Sequence, residues 1–374
     1  MKIAVNTRLL LKNKLEGIGW FTYETLKRIT QNHPEHEFLF IFDRPYHKDF
    51  IFSDNITPVV AGPPARHPIL FYIWFEHVIP KILKKYNADC FVSPDGFISL
   101  KSNIPVLQVI HDINFEHFPE FLPPFARWYY KKYFNRFAQR ADRIATVSEY
   151  SKKDIIEQYK IDPGIIDVTF NGASDDYKPV SEEVKKKIRE KYTDGTPFFL
   201  FVGALHPRKN IVNLLKAFDN FKKNKSNDIK LLIVGDKFWG TNEMKAQYEQ
   251  MTFKKDVIFT GRLLFNELLL IYPSALALCY VSIFEGFGIP IVEAMYCDTP
   301  VITSSTSSMP EVAGDAALYA DPFLVDSITK AMNNIAYNSE IRKKLIENGR
   351  KQRQKFSWDI TANKLWDSIC KLNK

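Results

Sequence analysis

Two adjacent cations stand where an apolar strand pattern ends and a helical pattern begins. The strand Phe198–Gly203 leads to Arg208 and Lys209, and a helical pattern starts after Asn210, a candidate N-cap. A helix N-terminus offers unpaired N–H groups and a partial positive charge, so phosphate binds there readily, and the two cations strengthen this. Solvated loop charges are the alternative interpretation. The position after a strand favours a phosphate site, because open α/β sheets bind ligands at the carboxyl ends of their strands.

Two carboxylates, Glu285 and Glu293, form a second candidate site. The strand Ala277–Val281 leads into a loop rich in glycine and phenylalanine that contains Glu285, and Pro290 predicts a first helical turn that includes Glu293. With this spacing the two carboxylates can contact different parts of one extended ligand. The loop glycines let backbone N–H groups approach that ligand closely. For Glu293 a structural alternative stays open, in which a first-turn acid complements the helix dipole.

Two weaker signals lie in the first half of the chain. His111 follows the strand Val106–Ile110, where a histidine is either a structural residue or a catalytic one. Gly17 and Gly19 resemble the start of a dinucleotide fingerprint, but Thr22 replaces the third glycine, which disfavours an NAD oxidoreductase. We expect these glycines to form a loop ahead of the first helix that closes over a ligand.

Composition narrows the classes of partner. The excess of 51 Lys and Arg over 43 Asp and Glu, a net charge of +8, favours anionic partners, but no nucleic-acid-binding motif is present. No Asp-x-Asp and no His/Asp cluster with metal-ligand spacing occurs, so we expect no metal. Four cysteines without a C-x-x-C pair, no signal peptide pattern and no long apolar segment predict a cytoplasmic protein.

The elements that must position these residues alternate between strands and helices, which is typical of parallel α/β units. At 374 residues the chain exceeds one ordinary hydrophobic core, so two domains are expected. An Asn-Gly turn and a lysine-rich helical pattern, Ser181–Lys191, indicate the segment between them. The predicted strands are Lys2–Asn6, Glu37–Asp43, Val106–Ile110, Arg143–Val147, Phe198–Gly203, Lys230–Gly235, Val257–Thr260, Ala277–Val281 and Pro300–Thr303.

These motifs together resemble the family 4 retaining glycosyltransferases of the GT-B fold over nearly the whole chain. Glu285 and Glu293 match the family's Glu-x7-Glu motif, and Gly203-x4-Arg208-Lys209 is similar to its phosphate loop. Further similar segments are Val147–Ser151, Asn171–Gly172, Gly261–Leu263, Pro310–Val312 and Gly314–Ala317. The resemblance implies two Rossmann-like domains whose parallel sheets face a central cleft: an acceptor domain, residues 1–175, a linker, 176–196, and a nucleotide-sugar domain, 197–355. A final helix, 356–374, would cross back to the first domain.

The resemblance also implies a role for each site residue. Arg208 and Lys209 would hold the donor diphosphate, Glu293 the ribose, and Glu285 the transferred sugar and its phosphate. His111 would lie near the reacting face of the sugar. The catalytic set is thus His111, Arg208, Lys209 and Glu285, and the remaining donor contacts are Gly17, Gly19, Gly203, Arg262, Leu263, Phe287, Gly288 and Ile289.

The activity implied by the resemblance is retaining transfer of a hexose from a nucleotide-diphosphate sugar to a hydroxyl of a glycan or lipid-linked acceptor, in cell-surface polysaccharide biosynthesis. The sequence Phe-Glu-Gly-Phe-Gly-Ile-Pro is similar to that of mannosyltransferases, which indicates GDP-mannose as donor and no cofactor. A nucleotide-sugar epimerase of the same fold and a catalytically silent sugar-nucleotide-binding protein are the alternatives.

Two aromatic stretches of the first domain, Pro68–Phe75 and Phe121–Arg140, have two interpretations. Aromatic residues interleaved with bases seat helices on anionic membranes, where a lipid-linked acceptor is found. Alternatively, both stretches are helices packed on the sheet with solvated lysines. The first interpretation predicts contact with the inner face of the cytoplasmic membrane through Trp74, Trp128 and Lys131.

Overall fold

Short runs of aliphatic and aromatic residues form the strands of two parallel sheets. In β1 (Lys2–Asn6) and β8 (Phe198–Val202) nearly every side chain is buried, as expected of strands covered on both faces. The computed structural model describes residues 1–224, 227–235 and 242–373. It comprises two units, one formed by Met1–Gly172 with Trp358–Lys374 and the other by Ala173–Ser357.

The first unit contains a seven-stranded sheet. After β1, its strands are β2 (Glu37–Phe42), β3 (Ile56–Val60), β4 (Cys90–Ser93), β5 (Val106–Ile110), β6 (Arg143–Thr146) and β7 (Ile166–Val168). They pair in parallel in the order β3-β2-β1-β4-β5-β6-β7. Its helices up to β7 are α1 (Gly17–Asn32), α2 (Pro68–Ile73), α3 (Ile79–Lys85), α4 (Asn114–His117), α5 (Pro124–Arg140) and α6 (Glu149–Tyr159), with a π-helical turn, Trp74–Val78, between α2 and α3.

The second unit contains a six-stranded sheet. After β8, its strands are β9 (Lys230–Val234), β10 (Val257–Gly261), β11 (Ala277–Tyr280), β12 (Val301–Ser304) and β13 (Ala317–Ala320). They pair in parallel in the order β10-β9-β8-β11-β12-β13. Its helices are α7 (Glu182–Thr193), α8 (Ile211–Asn224), α9 (Asn242–Gln250), α10 (Phe265–Ser274), α11 (Ile289–Tyr296), α12 (Met309–Ala313), α13 (Val325–Tyr337) and α14 (Ser339–Gln352).

Each sheet reverses its strand order beside its first strand, between β1 and β4 and between β8 and β11. This is the doubly wound order of Rossmann domains, with β7 added at one edge of the first sheet. The prediction of two Rossmann-like domains with parallel sheets is therefore confirmed. Ligands of such sheets bind at the carboxyl ends of the strands where the order reverses. In the second unit these are the strand ends that precede Arg208 and Glu285.

The segment predicted as a linker, 176–196, lies within the second unit. Most of it is helix α7, which begins after Ser181, whose hydroxyl accepts a hydrogen bond from the N–H of Val184. Tyr192 of this helix donates a hydrogen bond of 2.8 Å to Glu267 of α10. The segment is therefore packed against the domain that follows it.

The last helix, α15 (Trp358–Cys370), belongs to the first unit. Asp359 accepts a hydrogen bond of 2.6 Å from Arg28 of α1, and the ring of Trp366 stacks on His33 with 3.8 Å between centroids. Lys374, the last residue of the predicted helix, lies outside the described residues. The helix buries Trp358, Leu365 and Ile369, whereas Ile360 is exposed.

Candidate functional site

Hydrogen bonds join the loops that follow β8 and β11. These strands are parallel neighbours, so both loops leave the sheet at the same edge. The N–H of Ile283 donates to the carbonyl of Arg208 at 2.8 Å, and the side-chain amide of Asn210 donates to the carbonyl of Val281 at 3.0 Å. Asn210 thus precedes α8 as predicted, but its amide binds the neighbouring loop. The two loops hold the cations and Glu285 at a fixed separation.

Glu285 is the counter-ion of both cations. Its Oε1 accepts a hydrogen bond from Lys209 Nζ at 2.6 Å, and its Oε2 accepts one from the guanidinium of Arg208. Arg208 also donates to the carbonyl of Phe284 at 2.7 Å, and Lys209 donates to the hydroxyl of Tyr280 at 2.5 Å. Glu285 is 6% exposed and Lys209 is 9% exposed. We call these residues, Arg208, Lys209, Tyr280 and Glu285, the cation cluster.

Electrostatics keep this cluster positive. Burial by itself raises the pKa of Glu285, but the charges of Arg208 and Lys209 and the hydrogen bond from Lys209 outweigh burial and lower the pKa to about 2. Burial also raises the pKa of the Tyr280 hydroxyl well above its ordinary value. At neutral pH the cluster therefore contains two cations, one carboxylate and a neutral phenol. Its net positive charge suits an anionic ligand.

Glu293 lies on α11 in a different environment. Its carboxylate accepts hydrogen bonds from the hydroxyls of Tyr272 and Tyr177, and no Lys or Arg of the described chain pairs with it. Burial raises its pKa by more than these hydrogen bonds lower it. The first turn of α11 contains no acid, so the interpretation of Glu293 as a first-turn acid is wrong. We call Glu293, Tyr272 and Tyr177 the tyrosine cluster.

Glycines allow the backbone to pass closely at two points beside these clusters. Gly288 precedes α11 with φ of +104°, a conformation that side chains rarely adopt. A Cβ at Gly235 would lie 2.0 Å from the carbonyl oxygen of Gly203, so the chains leaving β8 and β9 can approach only with glycine there. Gly203 is thus in close contact with a residue that the sequence did not single out.

The other predicted donor contacts of the second unit follow its strands. Phe287 is buried, with its ring centroid 5.5 Å from that of Phe356, and Ile289 begins α11. Arg262 and Leu263 follow β10, whose carboxyl end lies at the same edge of the sheet as those of β8 and β11, two strands from β8. The structure brings Arg208, Lys209 and Glu285 together, whereas Arg262 is exposed at a distance of two strands.

His111 follows β5 in the first unit. Its Nε2 hydrogen-bonds to the carbonyl of Pro94 at 2.8 Å, and its ring meets the edge of Phe21 at 4.9 Å. Because a carbonyl only accepts, this nitrogen carries the proton. Burial lowers the pKa of His111 by more than the Pro94 hydrogen bond, Asp112 and Asp95 raise it, so the ring is neutral at neutral pH. Its place near the sugar stays a prediction.

Gly17 and Gly19 lie in the first turn of α1, so the predicted glycine loop ahead of the first helix is wrong. A Cβ at Gly19 would meet the carbonyl oxygen of Leu9 and the side chain of Leu15, each at 3.2 Å. At Gly17 a Cβ would have nothing within 4 Å. Tight packing explains Gly19, and a phosphate contact at either position stays a prediction.

In the described part of the chain, no group of three or more His, Cys, Asp or Glu side chains is arranged to hold a metal ion. None of the helices in those residues has the length and hydrophobicity of a membrane-spanning segment. Metal independence stays a prediction.

The predicted membrane contact includes one residue that the structure buries. Trp74, expected from the sequence to contribute, is fully buried and donates a hydrogen bond of 2.8 Å to the carbonyl of Ala61, so it serves the core and this part of the prediction is wrong. Trp128 and Lys131 are exposed, and contact with a membrane through them stays a prediction.

Sequence reasoning missed the tyrosines of both clusters. Tyr280 is the last residue of β11, directly before the glycine-rich loop. This position at a strand end could have identified it from the sequence as a candidate site residue. Tyr272 lies near the end of α10, and Tyr177 lies between Gly172 and α7. Neither of these two has a local sequence pattern that points to Glu293.

Two doubly wound units with parallel sheets are the architecture of the GT-B glycosyltransferases. The structure of Anabaena Alr3699/HepE in complex with UDP-glucose superposes with a TM-score of 0.78, covering 99% of this chain and 100% of that chain at 16% identity. At this identity the likeness establishes the fold.

The chain belongs to the family 4 glycosyltransferases. Residues 15–177 match the family model described as Glycosyltransferase Family 4, and residues 182–352 match the model described as Glycosyl transferases group 1. The chain is 32% identical over 371 residues to the O-antigen chain mannosyltransferase B of Escherichia coli, covering 96% of this chain and 97% of that protein. It is 30% identical over 285 residues to the O-antigen chain mannosyltransferase RfbU of Salmonella typhimurium, covering 75% and 74%. The predicted family and glycosyltransferase class are confirmed.

Proposed function

We propose that this glycosyltransferase is a retaining mannosyltransferase that uses GDP-mannose and acts in the cytoplasm on a hydroxyl of a glycan or lipid-linked acceptor, in cell-surface polysaccharide biosynthesis. Similarity to two O-antigen mannosyltransferases supports the sugar and the kind of acceptor. The observation that carries a diphosphate donor is the cation cluster, which presents two cations at the strand reversal of the second sheet.

The cluster is suited to stabilise a departing diphosphate. As the bond between the anomeric carbon and the phosphate oxygen breaks, negative charge grows on the leaving group and positive charge on the sugar. Arg208 and Lys209 offset the growing negative charge without reorganising, because Glu285 and Tyr280 already hold Lys209, and Glu285 and the Phe284 carbonyl hold Arg208. In this proposal Glu285 also contacts the transferred sugar, and Glu293 binds the ribose hydroxyls.

Retention is proposed to follow from substitution on one face of the sugar. The departing phosphate oxygen accepts the proton of the acceptor hydroxyl while the new glycosidic bond forms on the same face. The remaining proposed donor contacts are Gly17, Gly19, Gly203, Arg262, Leu263, Phe287, Gly288 and Ile289, with His111 near the reacting face.

A thermal-shift screen with GDP, GDP-mannose, UDP and UDP-glucose tests the donor. A ligand at 100 times its Kd stabilises the folded protein by about 2.7 kcal/mol, so at a fixed concentration the nucleotide with the lowest Kd raises the melting temperature most. We expect a shift with GDP and GDP-mannose. A shift with the uridine nucleotides alone would contradict the proposed base, and no shift with any of the four would contradict the proposed donor class.

Product analysis tests the reaction. With GDP-mannose and a mannose-containing acceptor glycan, NMR of the product should show an anomeric configuration equal to that of the donor. An inverted product would contradict retention. Formation of an epimeric sugar without an acceptor would instead identify a nucleotide-sugar epimerase.

Metal removal tests whether a metal ion is needed to neutralise the negative charge of the leaving group. We expect transfer to continue after EDTA treatment, because Arg208 and Lys209 supply the positive charge. Complete loss of transfer that manganese restores would contradict this expectation.

A further inference from the structure

The end of β12 and the loop after it extend the contact with β11 beyond the carboxyl edge of the sheet. The paired residues of the two strands end at Tyr280 and Thr303. The five residues after Thr303 are all serine or threonine, and helix α12 begins at Met309. We call this segment, Ser304–Ser308, the serine loop. On the β11 side lies the loop that contains Glu285.

Two hydroxyls of the serine loop bind carbonyls at the start of the loop that contains Glu285. The hydroxyl of Ser304 donates to the carbonyl of Ser282, and that of Thr306 donates to the carbonyl of Ile283 at 2.9 Å. Buried backbone groups need hydrogen-bond partners, and past the last paired residues no strand ladder supplies them. Side chains of the serine loop thus replace the missing strand pairing.

The backbone of Glu285 is held from both sides by the same segment. Its N–H donates to the hydroxyl of Ser307 at 3.0 Å. Its carbonyl oxygen lies 2.9 Å from the hydroxyl of Ser308, which is also 3.0 Å from the carbonyl oxygen of Phe287. The two glycines of this loop restrict its backbone less than other residues would. The serine hydroxyls therefore supply a constraint that the loop's own sequence lacks.

These contacts are made at a local cost. Ser308 is the N-cap residue of α12, where a serine ordinarily accepts a hydrogen bond from its own helix, yet its side chain makes no such bond. Ser307 has φ of +53°, which is uncommon for a residue with a side chain. Strain of this kind persists where the surrounding structure fixes it, and it is concentrated at functional sites. Both serines direct their hydroxyls to the loop of Glu285 instead of to their own segment.

We propose that Ser307 is a positioning residue for sugar transfer, whose hydroxyl fixes the backbone of Glu285 so that the carboxylate stays between Arg208 and Lys209. This inference rests on the proposed function of the cation cluster. A shift of the Glu285 backbone moves the carboxylate away from both cations and so releases them from their fixed positions. In this role Ser307 touches neither the donor nor the acceptor and acts through Glu285.

The variant Ser307→Gly tests the proposal because it removes the hydroxyl without straining the backbone. Glycine adopts a φ of +53° readily, so the variant is expected to fold. The matched control is Ser305→Gly, the same change at an exposed serine two positions earlier. The backbone N–H of Ser305 binds the carbonyl of Ala320, and its hydroxyl forms no hydrogen bond within the described chain. Melting curves confirm that both variants are folded.

Steady-state kinetics with GDP-mannose measure the effect on transfer. Ser307→Gly should lower kcat about 10- to 100-fold, because a displacement of about 1 Å in a catalytic group has effects of this size. KM for the donor should change little, and the melting temperature should stay near that of wild type. Ser305→Gly should keep the wild-type kcat. A wild-type kcat in Ser307→Gly, or equal losses in both variants, would overturn the proposal.

A double variant tests whether Ser307 acts through Glu285. If it does, Ser307→Gly should have no further effect on kcat in a protein that already carries Glu285→Gln. Two losses that multiply would show that Ser307 acts independently of this carboxylate, and the positioning role would then be wrong.

The pH dependence of stability tests the positioning role without reference to the donor. In wild type the pKa of Glu285 is lowered to about 2, so its contribution to stability is lost as the pH falls from 4.5 towards 2. A carboxylate no longer held between the two cations has a pKa nearer 4.5, so Ser307→Gly should lose less stability over this range in urea denaturation, and Ser305→Gly should match wild type.

This measurement separates the two proposals. If wild type transfers no sugar from GDP-mannose, the proposed function fails, and the stability series still tests the position of Glu285. The same pH dependence in wild type, Ser307→Gly and Ser305→Gly would overturn the positioning role, whichever donor the enzyme uses.

Discussion

Glu285 and Glu293 are two glutamates of one unit, eight positions apart, whose surroundings differ in one respect. Both are removed from water, and burial alone raises the pKa of each. Glu285 faces two cations, which lower its pKa to about 2, whereas Glu293 faces two tyrosine hydroxyls and keeps a raised pKa.

The comparison shows that the partners of a buried carboxylate, more than its burial, decide its charge. The cation cluster consists of fixed charges, and it suits a reaction step in which negative charge develops on a leaving group. The tyrosine cluster is built from neutral hydrogen bonds, and it suits recognition of hydroxyl groups. Matched substitutions in the two clusters should therefore affect different quantities.

The largest expected effect is that of Lys209→Ala. This variant removes a cation held beside the departing phosphate, so kcat should fall by about 10²–10³-fold, or roughly 3–4 kcal/mol in activation free energy. Steady-state kinetics with GDP-mannose measure it, and Lys223→Ala, an exposed lysine on α8, provides a control with kcat unchanged. A higher KM with wild-type kcat would show that Lys209 acts only in ground-state binding.

Glu285→Gln tests the charge of the cation cluster through stability. A pKa lowered from 4.5 to about 2 corresponds to about 3 kcal/mol of native-state stability. Because the folded pKa is lowered, this contribution is present above pH 4.5 and is lost as the pH falls towards 2. Urea denaturation at a series of pH values should show wild type and variant converging in acid. A stability difference that does not depend on pH would contradict the assigned charge.

Glu293→Gln should have a smaller effect, with the opposite pH dependence. Because its folded pKa is raised, wild type loses stability as the pH rises through that pKa, whereas the variant does not. If Glu293 binds the ribose, KM for the donor should rise about tenfold, or about 1.4 kcal/mol, with kcat little changed. A fall in kcat as large as that of Lys209→Ala would remove the distinction between the clusters.

The smallest expected effects come from one chemical change made in both clusters. Tyr280→Phe removes a hydroxyl that accepts from Lys209, and Tyr272→Phe removes one that donates to Glu293. Each should cost about 1 kcal/mol. We expect the first to lower kcat and the second to raise KM in the same assay. Identical kinetic profiles would mean that the clusters do not act separately.

The strands that the sequence predicted are those with the clearest apolar runs. β1 and β8 are buried on both faces and read as continuous apolar segments. Four strands were missed: β3 is an edge strand interrupted by Pro58, β7 has three residues, and β4 and β13 have four residues each. Such short strands depend on pairing with a neighbour, which local sequence does not encode.

The sequence identified several residues of the site but not which of their side chains contact one another. Arg208 and Glu285 were each singled out by their position after a strand, yet they lie 77 residues apart in the sequence. Their contact depends on β8 and β11 being neighbours, a consequence of strand order in the whole sheet. Tyr177 and Tyr272 reach Glu293 through tertiary packing alone, so no spacing rule could reveal them.

The position of α15 at the end of the sequence determines when the first unit can complete its folding during synthesis. The seven strands of the first unit are synthesised early, but Trp358 and Trp366, which pack on Phe21 and His33, follow only after the whole second unit. Domains generally fold as units during synthesis. The second unit is continuous in sequence and is complete before α15 emerges. In the growing chain the first unit is thus completed after the second, because the contact of Phe21 with Trp358 forms only once α15 has been synthesised.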